Sequence, residues 1–113
     1  MSWFGGIVIQ TENSVPGNFE ELQVNDSSSW FQRGKIKPTS GPFAGLSAQA
    51  GLISLEGGDI RFRLDGLSPP TSTSGHYMSS GDTFLLIGTQ ALLQFRAIRV
   101  GVENGILTAT YFF

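Results

Sequence analysis

The sequence predicts an all-β chain: an antiparallel β-sandwich of about seven or eight strands, with the jelly roll as one candidate arrangement. Fifteen glycines and five prolines punctuate short apolar runs. No run sustains the helical apolar period over even ten residues. The stretch "GGDIRFRLDG" alternates strictly, with Ile60, Phe62 and Leu64 on one side of an extended chain and Asp59, Arg61, Arg63 and Asp65 on the other. One side suits a core; the other suits water, a neighbouring strand or a partner.

A chain of 113 residues builds one core and is too short for two, so residues 1–113 are expected to form a single domain. There is no cysteine, so neither a disulfide nor a cysteine-ligated zinc site holds it together. A formal charge of -2 lacks the basic footprint of a general nucleic-acid binder. Charged residues make up 14% of the chain, against about 25% in an average protein. The opening "MSWFGGIVIQ" lacks the positive flank and length of a signal peptide, and no segment reaches the ~20 apolar residues of a membrane span. A soluble product made in a cytoplasm, without membrane contact, is the expectation.

Short strands are expected at Ile7–Thr11 and Phe19–Val24, and a third around Trp30–Lys37, with "NDSSS" and "PTSGPFAG" as loops. From there, a strand near Ala50–Leu55, a turn at Glu56-Gly57-Gly58 and the alternating strand Asp59–Leu64 read as a hairpin. "DGLSPPTSTSG" is a loop, because proline removes backbone donors and Ser/Thr side chains compete for the rest. Strands follow at Thr83–Ile87, Phe95–Val100 and Ile106–Phe112. Asn104-Gly105, both tolerant of positive φ, signals a hairpin between the last two. Thr89–Leu93 is too short for a packed helix and is not assigned as one.

Catalytic motifs are absent. His76 is the sole histidine, so it does not supply the ligand set of a typical zinc site, and an ordinary loop or strand-end role is expected. Asp65 and Asp82 flank it without the dense spacing of a calcium loop. The serines lack a "GxSxG" context. No enzyme activity and no cofactor are expected. Residues 1–30 hold four acids (Glu12, Glu20, Glu21, Asp26) and no base, after which Arg33, Lys35 and Lys37 alternate. On a strand those three cations share a face: a solvated face, or an ion-pairing surface for the acidic segment or a partner. Trp3, Phe4, Trp30 and Phe31 are core candidates. Trp3 and Phe4, next to Gly5-Gly6 at the chain's start, are also candidates for an arm, residues 1–6, that anchors in a neighbouring subunit.

Beyond these elements, "DIRFRLDGLSPPTSTSGHYMSSGDTFLLIG" followed by "LLQFRAIRVGVENGILTATYF" resembles small accessory virion proteins of tailed bacteriophages. The similar features are a strand ending in "RLDG", a Pro/Thr-rich loop, "GH" before an apolar pair, "GD" opening a strand, and "FRAIR" before an aromatic end; they span Leu46–Phe113. The resemblance implies a β-sandwich particle component: a capsid decoration (cement) protein, or a head or tail accessory subunit. It would bind the major capsid protein or another virion protein and form homo-oligomers. Trp3, Phe4, Arg33, Lys35 and Lys37 are the expected contact residues. The alternative is a sandwich that binds carbohydrate or a host surface, with Trp30, Phe31 or Tyr77 as stacking platforms.

Overall fold

The computed structural model describes residues 14–113, together with the backbones of two short antiparallel strands, β1 (Ser2–Phe4) and β2 (Ile7–Ile9). Seven further strands follow: β3 (Pro16–Val24), β4 (Ala50–Gly57), β5 (Ile60–Arg63), β6 (His76–Met78), β7 (Thr83–Ile87), β8 (Arg96–Arg99) and β9 (Gly105–Phe112). They form a four-stranded sheet in the order β3-β9-β4-β7 and a three-stranded sheet in the order β6-β5-β8. Every pairing is antiparallel. This is the expected sandwich.

Alternation decides which side of each strand is inside. In β9, Leu107, Ala109 and Tyr111 are fully buried while Ile106, Thr108 and Thr110 stay half-exposed. From β4, Ile53 and Leu55 join them, and the smaller sheet adds Ile60, Met78 and Ala97. The expected register of "DIRFRLD" holds: Ile60 is buried, and Phe62 and Leu64 pack against the core. A row of stacked rings links the layers, with centroid separations of 4.6 Å for Phe31–Phe95, 5.3 Å for Phe62–Phe95 and 5.6 Å for Phe62–Phe84. Such contacts contribute about 0.5–1.5 kcal/mol each beyond area burial.

Two expected hairpins do not form. β4 pairs with β7 and β9, whereas β5 pairs with β6 and β8, so "LEGGD" carries the chain from one sheet to the other. "ENG" does the same between β8 and β9. The two crossings pack against each other: the Gly58 amide donates to the Asn104 carbonyl at 3.0 Å. A Cβ on Gly58 would lie 2.1 Å from the Glu103 carbonyl oxygen, and one on Gly105 would lie 2.7 Å from Cγ2 of Ile60. Both turn signals therefore serve one tight corner, where glycine is required by close backbone approach.

The strand expected around Trp30–Lys37 is also replaced, by a single helical turn, α1 (Arg33–Ile36). Phe31 and Ile36 are both buried. On a strand, residues an odd number apart face opposite ways, so only a turn brings both inward. Thr89–Gln94, left out of any helix by the sequence, forms the short helix α2. It is held by burial of Leu92 over Gly51, where a Cβ would come within 2.9 Å of Leu92 Cδ2, and by the Thr89 hydroxyl donating to the Ala48 carbonyl at 2.6 Å. Tertiary contact, not propensity, stabilises so short a segment.

Glu20 is the one buried charged residue type among the described residues. Its carboxylate accepts from the Tyr111 hydroxyl at 2.6 Å and from the Gln32 amide at 3.1 Å. It thereby ties the edge strand β3 to β9 and to the residue that opens α1. Burial first, and the Glu20 carboxylate second, push the Tyr111 hydroxyl well above the usual tyrosine value.

Two predictions follow from these contacts. Gly58→Ala forces the corner apart and should cost about 1–3 kcal/mol, whereas Gly101→Ala, with open space around it, should leave the denaturation midpoint unchanged. Because Tyr111 stays protonated in the folded chain while unfolded tyrosine ionises near pH ~10, the unfolded state binds fewer protons above that pH and stability falls as pH rises through it. Urea midpoints measured from pH 8 upward should show this decline, and Tyr111→Phe should reduce its slope while costing about 1–3 kcal/mol at neutral pH through the acceptor left unpaired. An identical slope in the variant would contradict the assignment.

Candidate functional site

The two sheets present two outer faces of different chemistry, on opposite sides of the sandwich. On the three-stranded sheet, register places Tyr77, Arg61 and Ile98 in one outward row and Arg63 beside Arg96 in the next. The aspartates that bracket "DIRFRLD" are partly used at home. Asp59 accepts from the Tyr77 hydroxyl and the Ser80 amide, which hold its carboxyl below the usual aspartate range and raise Tyr77. Asp65 pairs with Arg63, whose hydrogen bond likewise lowers the Asp65 carboxyl.

The arginines differ in how far they are satisfied. Arg61 donates to the Ser72 and Gly75 carbonyls at 3.1 and 2.9 Å and lies 5.2 Å from the Tyr77 ring centre, so the Pro/Thr-rich loop is laced to the sheet through it. Arg96 sits 4.6 Å over the Trp30 ring and has no carboxylate partner among the described residues. Trp30 is placed there by the paired backbone bonds of Ser29 with Ala97, both 2.8 Å, which extend the sheet past β8. Arg63 and Arg96 are direct cross-strand partners, a like-charge arrangement that is destabilising unless something else supplies negative charge. Arg99 donates to the Asn104 side chain at 2.7 Å, at the sandwich corner.

The outer face of the four-stranded sheet has an apolar end beside a polar row of Glu21, Thr108, Ser54 and Thr83. One row reads Phe19, Thr110, Leu52, Leu85; the next ends in Ile87. Phe19 is 55% exposed and Ile87 73%. Toward the corner the same face turns acidic, with Glu21 and Glu56 both exposed and neither in an ion pair among the described residues. β2 runs within 8 Å of β7, the edge strand that carries Leu85 and Ile87.

The residues singled out from the sequence fare unequally. The side chains of Trp3 and Phe4 lie outside the described residues. Arg33, Lys35 and Lys37 do not share a strand face: Arg33 and Lys35 are on α1, Lys37 follows it, and Lys35 is half-buried with its carbonyl accepting from Asn18 at 2.9 Å. Phe31, offered as a stacking platform, is core. Trp30 and Tyr77 are half-exposed, as a platform requires. His76 is exposed at the start of β6, with its ring 5.4 Å from that of Phe62. Among the described residues no group of three or more His, Asp or Glu side chains is placed to hold a metal ion. The sequence missed the apolar face because Phe19, Leu52, Leu85 and Ile87 come from three strands whose neighbours were not known.

The adjacent aromatics supply a test of this placement. Phe31→Ala should cost about 3–5 kcal/mol, the usual loss for a buried phenylalanine, while Trp30→Ala should cost about 1 kcal/mol or less, the size of an exposed cation–π contact. Equal costs in chemical denaturation would refute it. No family model, curated protein or solved structure matches this chain.

Proposed function

We propose that this chain is a structural, non-catalytic component of a tailed-phage particle, a capsid decoration protein that binds the major shell protein and stabilises the shell. The observation that carries the reading is the apolar end of the outer face of the four-stranded sheet, with Phe19 and Ile87 more than half exposed. An antiparallel sheet whose outer side meets only water alternates to polar residues there. Large apolar side chains left on that outer side favour an assembly, and the sequence resemblance over Leu46–Phe113 supports a phage particle as its kind. In this reading Trp3 and Phe4 of the N-terminal arm and the cations Arg33, Lys35 and Lys37 contact the shell protein. The mechanism is burial of apolar area without bond-making chemistry. The runner-up, a carbohydrate- or host-surface-binding module, is favoured by one observation, the half-exposed rings of Trp30 and Tyr77 beside Arg96 and Arg61.

Co-sedimentation with shells assembled from the major capsid protein separates these readings. The wild type should pellet with shells and raise their melting temperature. The double variant Phe19→Ser/Ile87→Ser should lose both effects while keeping its own folded circular-dichroism spectrum. If the wild type stays in the supernatant but is retained on glycans in a Trp30-dependent way, the carbohydrate reading replaces ours.

A further inference from the structure

We propose that copies of this chain join head to tail, the arginine-bearing outer face of one copy seating on the apolar and acidic outer face of the next. This rests on the assembly reading and gives the apolar face to the next copy, leaving the N-terminal arm and Arg33, Lys35 and Lys37 to meet the shell; Phe19→Ser/Ile87→Ser then loses shell binding because copies no longer join. Each face carries what the other lacks. Arg96 has an aromatic neighbour and no carboxylate, and it stands directly beside Arg63. Glu21 and Glu56, exposed and without cation partners among the described residues, lie on the opposite side of the sandwich. Trp30, Tyr77 and Ile98 give the arginine face the apolar contact that Phe19, Leu52, Leu85 and Ile87 need.

Self-pairing of either face is disfavoured by the same charges. Two arginine faces brought together would oppose Arg61 and Arg96 to their own copies, and two copies of the other face would oppose Glu21 and Glu56. Juxtaposed like charges cost several kcal/mol, and complementary ones fix the register. The molecule, 38 × 31 × 21 Å, is broad enough for a contact near the ~800 Å² per partner of a standard interface. Because the two faces point in opposite directions, the contact is heterologous. It propagates as a ring or a row according to the rotation between copies.

Variants with one face disabled test this directly. Arg61→Glu/Arg96→Glu reverses the cationic face, and Phe19→Ser/Ile87→Lys breaks the other; Arg96→Gln and Ile87→Ser alone are milder substitutes if either double variant fails to fold. By light scattering coupled to size exclusion, the wild type should associate with rising concentration and dissociate at high salt. Each variant alone should weaken association by about tenfold or more. An equimolar mixture of the two should give a heterodimer and nothing larger, because only one good face of each remains. A wild type that stays monomeric overturns the proposal, as does a variant that still dimerises alone or a mixture that stays monomeric. Shell binding by a monomeric wild type would leave the decoration reading standing while this inference falls. Self-association without shell binding would do the reverse.

Discussion

The buried carboxylate of Glu20 joins Leu22 and Val24 on the side of β3 that faces the core and ties that edge strand to its neighbours. In "NFEELQV" the inward side carries Glu20 with the apolar Leu22 and Val24, and the outward side carries Phe19 with Glu21 and Gln23. Glu20 is 5% exposed and Phe19 is 55% exposed. A shift of one residue would bury Phe19 together with Glu21 and Gln23, would expose Leu22 and Val24, and would part the Glu20 carboxylate from its donors, the Tyr111 hydroxyl and the Gln32 amide. Burying a carboxylate costs several kcal/mol before hydrogen bonds offset it. The Tyr111 and Gln32 donors supply that offset, and Phe19, on the other side of β3, opens the row that continues through Thr110 and Leu52 to Leu85.

Parity within a strand could be read from residues, and pairing between strands could not. Strand positions were legible because period-2 alternation is a local property: Thr83–Ile87 is a strand as expected, and β8 and β9 differ from expectation by a residue at their ends. Partners were not legible. Gly57-Gly58 and Asn104-Gly105 announce reversals of direction, but a reversal does not state which strand lies alongside. The corner uses both at once, through a 3.0 Å bond from Gly58 to Asn104, and a hairpin would have used each separately. α1 was misread for a related reason. The alternation of Arg33, Lys35 and Lys37 looks like a strand, whereas the residues that determine the backbone there are Phe31 and Ile36, both fixed by the core.

The charged side of "DIRFRLD" was visible from the sequence, and its meaning emerges only with its neighbours. Asp59 and Asp65 are partly spent on Tyr77 and Arg63, and Arg61 on two loop carbonyls. What remains is Arg96 against Trp30, contributed by β8 and by the residue after the Ser29 bridge. No window of sequence contains that pair. The same holds for the apolar face, whose members are separated by as many as 68 positions and meet because β9 and β4 lie between β3 and β7.

A chain with few charges has limited means of keeping a sheet apart from other sheets. Natural sandwiches protect their edges and faces with charge, bulges or covering segments. Here the edge strand β3 carries an irregularity between Pro16 and Phe19, which blunts strand addition at that end. The broad faces are left with complementary character instead: cationic and aromatic on one, apolar and acidic on the other. In the proposed head-to-tail contact, such complementarity sets unlike faces together, and charge opposes the stacking of like on like.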